Sequence, residues 1–169
     1  MFMATKGFSG IFPNISLLTS LQKMTTNPAD ERAYFFKIDT TIKKIRNSLQ
    51  RKLDEAGLDL TVDQWVLIDH VQRNPGINQT QLAEMTVKDT PTVTRMLDLL
   101  IKKQLAERRS DPTDRRKFSI HLTPAGELVF QRALPIVVDV RRRGWGDMSD
   151  ADYHTFTRIL DSIHRNISH

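Results

Sequence analysis

LAERRSDPTDRRKFSIHLTPAG, the stretch from Leu105 to Gly126, sets four arginines and a lysine around a proline-containing turn and follows them with an alternating apolar run. Asp111-Pro112-Thr113-Asp114 is a sound turn sequence, because Asp bonds its own backbone and Pro presets the backbone angle of the next step. Beyond it Phe118, Ile120 and Leu122 alternate with Ser119 and His121, the period of a half-buried strand. Ala106 to Arg109 offers a weaker partner strand. The expectation is a two-stranded hairpin with a cationic tip, a shape that can straddle a polyanion.

Working outward, the charge is concentrated at this hairpin. Between Lys102 and Lys117 seven cations (Lys102, Lys103, Arg108, Arg109, Arg115, Arg116, Lys117) face three anions (Glu107, Asp111, Asp114). The whole chain of 169 residues carries a net charge of only +5, so most of it sits in this segment. A solvated face is the bland reading of such a run; an acidic partner is the sharper one. A hydrophobic fraction of 39% and a charged fraction of 27% fit a globular domain rather than a disordered or membrane chain. No apolar run approaches the roughly 20 residues of a membrane span, so no membrane partner is expected. Cysteine is absent, which excludes disulfides, cysteine metal sites and thiol switching and fits a cytoplasmic location. Residues 1–30 read as an N-terminal extension, either a flexible arm, a segment packed on a partner subunit, or an upstream start outside the working domain. Pro13 and Asn14 interrupt its apolar run, which argues against a signal peptide.

The remainder, residues 31–169, is helical on both sides of the hairpin. Phe35, Ile38, Ile42, Ile45, Leu49 and Leu53 recur at three or four residues between Glu31 and Ala56, and Gly57 stops that helix. A second helix is expected from Val62 or Asp63 to Arg73, capped by Thr61, with Trp65, Leu67, Ile68 and Val71 in the core. Asn74-Pro75-Gly76 breaks it. Two short helices follow: one over about Asn78 to Met85 with Leu82, Ala83 and Met85 apolar, the next from a Thr90 cap and Pro91 to about Lys103. After the hairpin, Thr123 caps a long helix with Pro135 inside it, ended by Gly144 and Gly146. The last helix, Asp150 to Asn166, carries Tyr153, Phe156, Leu160, Ile163 and Ile167 as a narrow seam suited to helix pairing.

This order predicts a mainly α protein with a small β-hairpin: a winged helix-turn-helix, about residues 62–123, flanked by dimerisation helices at 31–56 and 124–167. One domain can bury both terminal seams internally. The expectation adopted is that they intertwine with a twin subunit, because DNA readers of this kind pair to match two half-sites.

From Phe35 to Asn166 the sequence resembles the multiple antibiotic resistance regulator (MarR) family. The resemblance rests on Leu82-Ala83, on Thr92-Val93-Thr94-Arg95, and on Asp114-Arg115-Arg116 followed by Leu122-Thr123 and Gly126. Gln104 departs from it, standing where the family has glycine; a left-handed backbone there strains other residues by around 1 kcal/mol. The resemblance implies a transcriptional regulator, more a repressor than an activator, that binds double-stranded DNA as a homodimer at an inverted repeat. Arg116 aligns with an arginine that enters the minor groove, supported by Asp114, or else pairs with Asp114 merely to stiffen the turn. Arg115 and Lys117 suit phosphates. Thr92, Thr94 and Arg95 lie where base edges are read, the alternatives being capping for the threonines and a salt bridge to Asp98 or Asp89 for Arg95. Gln79 and Thr80, with Gln81, are weaker phosphate candidates. The family also implies release by a small aromatic or lipophilic effector, for which Phe35, Phe36, Trp65 and His70 are candidate pocket residues; ordinary core is the plainer role for each.

An enzyme is the competing class. The five histidines are scattered, without a metal-ligand spacing, and there is no phosphate loop or nucleophile elbow, so no catalytic residue, metal or cofactor is expected. A winged helix used for protein contacts, or for DNA binding without sequence preference or small-molecule control, is the remaining alternative.

Overall fold

The computed structural model describes residues 28–110 and 118–168, with side chains from residue 33. Eight elements follow in order: α1 (Pro28–Glu55), α2 (Val62–Arg73), α3 (Gln79–Thr86), α4 (Thr90–Lys102), β1 (Ala106–Ser110), β2 (Phe118–Leu122), α5 (Pro124–Trp145) and α6 (Asp150–Ile167). The chain divides into two units, residues 1–42 and 43–169. In the first, the described residues form the start of α1, where Phe35 and Phe36 are 58% and 69% exposed. The second unit holds the remainder of α1 and every other described element.

Caps fix where its helices begin. Thr61 accepts from the Gln64 amide while the Gln64 side chain accepts from the Thr61 amide, each at 3.1 Å, a reciprocal box that starts α2 where its sequence suggests. Asn78 and Gln81 repeat the device at α3. At α4 the cap is Asp89 rather than Thr90: its carboxylate accepts the Thr92 amide at 2.8 Å, which places Pro91 in the first turn. Asp one residue earlier outcompetes Thr because it spans both the amide and the hydroxyl of Thr92.

Three helices close with the same C-terminal geometry, a left-handed residue flanked by a 6→1 and a 5→2 bond. At α1 it is Gly57, with Leu58 donating to Leu53 and Gly57 to Asp54. At α3 it is Val87 (φ 51), with Lys88 donating to Ala83 and Val87 to Glu84. At α4 it is Gln104 (φ 58), with Leu105 donating to Leu100 and Gln104 to Ile101. The turn therefore keeps the left-handed backbone that a glycine would favour and places a glutamine in it. The Thr123 hydroxyl donates to the Gln104 carbonyl at 2.6 Å and helps hold that turn.

The hairpin is fuller than its sequence suggests: all five residues of β1 pair antiparallel with β2, from Ala106 opposite Leu122 to Ser110 opposite Phe118. The Ile120 amide also donates to the Ile77 carbonyl at 2.9 Å, stitching the hairpin to the loop before α3. Ile120 and Leu122 are buried, but Phe118 is 46% exposed because it lies at the far end of the hairpin, beyond the core. Met85 is likewise exposed, not core: it lies about 200° around α3 from buried Ala83.

Two cores meet along α2. Leu67, Ile68 and Val71 join Leu82, Val93, Leu97, Leu100, Ile120 and Leu122 in one. Val62 and Trp65 join Leu49, Leu53, Ala133 and Val137 in the other, where Trp65 stacks on Phe130 with ring centroids 5.4 Å apart. The helix after the wing starts tight against the α4–β1 turn, since a Cβ on Gly126 would lie 1.9 Å from the Leu105 carbonyl oxygen. It runs through Pro135 and through Gly144 without a break, and Gly146 (φ 65) ends it. A capping box of Ser149 and Asp152 starts α6, none of whose residues is buried.

Candidate nucleic-acid interface

The exposed face of α4 carries the sequence-expected reading residues. Val93, Leu97 and Leu100 turn into the core, which leaves Arg95 exposed and Thr92 and Thr94 half-buried at its two margins. Asp98 does not take Arg95. It is held instead by Arg108 of β1, Nη2 to Oδ1 at 2.7 Å, an ion pair from the hairpin to α4. Among the described residues no carboxylate lies within ion-pair distance of Arg95, and one of its Nη atoms donates to the Thr92 hydroxyl at 3.2 Å. The guanidinium keeps most of its donors for another acceptor.

Both threonine hydroxyls are engaged within the protein. That of Thr92 donates to Asp89 at 2.8 Å, and that of Thr94 donates to the Thr90 carbonyl at 2.8 Å while accepting from the Gln79 side chain. Gln79 is thus bonded to α4, Thr80 stays exposed, and the Gln81 side chain belongs to the α3 cap. The bonds from Thr92 hold the Asp89 carboxyl below its ordinary range, so it stays an anion beside Arg95.

A second carboxylate braces the helix-turn-helix. Asp63, early in α2, accepts from Arg46 of α1 at 2.8 Å and from Lys88 of the α3–α4 turn at 3.1 Å. Burial pushes its carboxyl up, but the hydrogen bonds from Lys88 and Arg46 outweigh burial and hold it below the usual value. Neither pair is visible in sequence: Asp98 with Arg108 needs the hairpin register, and Asp63 with Lys88 needs the packing of α2 on the turn. The Asp89 cap was missed in favour of Thr90, although an Asp three positions before Thr92 is the signal that could have found it.

Asp114, Arg115, Arg116 and Lys117, with the Asp111–Thr113 part of the turn, lie outside the described residues. Of the effector candidates in the second unit, Trp65 is 1% exposed and packed as core, and His70 is half-buried at the end of α2. Among the described residues no three His, Asp or Glu side chains are grouped to hold a metal.

Two helices joined by a tight turn, a hairpin beside the second of them and a following helix packed on α2 and β2 define a winged helix-turn-helix. Residues 58–117 match the model of the MarR family. Over 102 residues the chain is 30% identical to the transcriptional regulator HosA of Escherichia coli O111:H-, covering 60% of this chain and 76% of that one. A protein of unknown function from Listeria innocua Clip11262 is 32% identical with a TM-score of 0.61, over 83% of this chain and 99% of that one. A mutant MarR from E. coli, complexed with operator DNA, superposes with a TM-score of 0.71 at 22% identity, over 82% and 99% of the two chains, a likeness of fold. The chain belongs to the MarR family of transcriptional regulators.

Proposed function

We propose that the protein is a cytoplasmic repressor that binds an inverted-repeat operator in duplex DNA as a homodimer and is released by a small aromatic or lipophilic molecule. The observation that carries the reading is Arg95: it stands on the exposed face of α4 with Asp98 held by Arg108 and with Asp89 nearby but outside ion-pair distance, so its only described hydrogen bond goes to the Thr92 hydroxyl. An arginine so placed suits bidentate contact with guanine in the major groove. Arg116 is the proposed minor-groove probe with Asp114 as its support, and Arg115 and Lys117 the phosphate grip. The apolar stripes of α1 and α6 supply the proposed twofold contact, which sets the spacing of two reading helices. Small-molecule binding that alters this spacing weakens both half-sites together. No described helix is long and apolar enough to cross a membrane, in keeping with a partner in solution.

Selection of bound sites from random duplex DNA at two salt concentrations tests the reading. Recovery of an inverted repeat is expected, with affinity falling steeply as salt rises. Tight binding without sequence preference would leave a general DNA binder, and no binding would leave a protein-contact module. On the recovered site Arg116→Ala should weaken binding strongly while folding and dimerisation are kept; unchanged affinity removes its assigned role. Effector release is tested by titrating the complex with a panel of small aromatic acids and lipophilic compounds, and loss of the complex with one of them is expected.

A further inference from the structure

We propose that Thr94 reads DNA through its methyl group and not its hydroxyl, so that each half-site carries a thymine whose 5-methyl group it contacts. The inference rests on the operator-binding reading above and deepens it. A threonine hydroxyl owns one proton and two lone pairs. In Thr94 the proton goes to the Thr90 carbonyl at 2.8 Å, one turn back along α4, and a lone pair is taken by Nε2 of Gln79 from α3. The two bonds come from different helices, so the hydroxyl is held from both sides rather than turning freely.

What remains decides the chemistry. Phosphate oxygens, guanine N7 and O6, adenine N7 and thymine O4 are all acceptors and need a donor. The Thr94 hydroxyl has no proton left for any of them without breaking its bond to Thr90. Its one remaining lone pair could serve only adenine N6–H2 or cytosine N4–H2, a contact that Thr94→Ser would keep and Thr94→Val would lose. Its γ-methyl is the branch without a polar engagement, at the margin of the exposed face that Arg95 occupies. Among base edges in the major groove, only thymine presents a methyl group for apolar contact. Thr92 differs: its hydroxyl partners, Asp89 and Arg95, all lie in or beside the first turn of α4, so it serves the arginine.

The test uses the full-length chain, its selected operator, and two substitutions of opposite effect. Thr94→Val keeps the methyl and removes the hydroxyl; Thr94→Ser does the reverse. Operators carrying uracil in place of thymine, one position at a time, delete the partner methyl. Wild type and Thr94→Val should each lose affinity about fourfold at one position per half-site, and about fifteenfold when both half-sites are changed, the worth of one buried methyl each time. Thr94→Ser, which lacks the methyl in both subunits, should bind the thymine operator about fifteenfold weaker and be indifferent to uracil at that position. The salt slope should be equal for all three proteins. A Thr94→Val protein that is folded by circular dichroism yet as weak as Thr94→Ser, with a shallower salt slope, would make the hydroxyl a phosphate contact and overturn the proposal. So would the absence of any uracil position that separates wild type from Thr94→Ser, a comparison independent of how the valine variant folds. Failure of the wild type to prefer any sequence would instead remove the operator reading itself, and this proposal with it.

Discussion

Helices α4 and α6 carry the same kind of apolar stripe, and the fold treats them in opposite ways. On α4 Val93, Leu97 and Leu100 are fully buried, covered by α2, α3 and the hairpin. On α6 Tyr153 and Phe156 stay about half exposed, Ile167 more so, and no residue of the helix is buried. Its one described aromatic neighbour outside the helix is Trp145, whose ring meets Tyr153 edge-on at 5.5 Å and lies 6.1 Å from Phe156. A stripe at helical spacing states that a face wants cover; it does not say which chain supplies it. A contiguous apolar face of this kind is what a protein contact uses, and a second copy of the chain is the partner proposed for it.

The largest expected effect lies where the covered region is tightest. Gly126→Ala sets a Cβ against the Leu105 carbonyl, backbone on backbone, and should destabilise the chain by about 3 kcal/mol or more in urea unfolding. A wild-type midpoint would show that α5 can move off the turn at little cost.

Matched truncations then set the two stripes directly against each other. Leu97→Ala should cost about 2–5 kcal/mol, partly as an unfilled cavity, with the same loss at low and high protein concentration once dimerisation is accounted for. Phe156→Ala with Ile163→Ala should instead shift the monomer–dimer equilibrium, measured by sedimentation, and leave an isolated monomer about as stable as before. A concentration-independent loss in the second variant would mean the seam is covered within one chain, and the contrast between α4 and α6 would fall.

The smallest effects concern the helix ends. Val87 and Gln104 occupy left-handed backbone, and Val87, β-branched, is the more strained. Replacing either with Gly should raise stability by about 0.5–1 kcal/mol, read as a small upward shift of the unfolding midpoint. A loss at Gln104 would show that its side chain does more than occupy the turn.

Much of this architecture was legible because its signals are local. The capping boxes at Thr61 and Asn78, the break at Asn74-Pro75-Gly76, the Thr123 cap and the alternation of Ile120 and Leu122 each act within a few residues, where backbone chemistry decides the outcome. Expectations that missed depended on how far a core extends. Met85 and Phe118 have the apolar character of interior residues, yet one lies on the wrong side of a short helix and the other past the end of the packed hairpin. The cap of α4 went to Asp89 because two neighbouring residues compete for the same amides, and the bidentate one holds them. Gln104 shows the converse: its departure from glycine was plain, but whether the backbone would follow the residue or the fold was not. The fold prevailed, since Leu100, Leu105 and Thr123 all depend on that turn.

Sequence by itself determined the order of elements, the family and the identity of the candidate reading residues, because periodicity, caps and a spaced motif are written along the chain. Tertiary structure decided which of those residues keep free valences. Arg108 reaches Asp98 only because the hairpin register carries it there, which leaves Arg95 available, and Gln79 meets Thr94 only because α3 packs across α4. Hydrogen-bond capacity is a property of each side chain; how it is spent depends on neighbours brought from elsewhere in the chain.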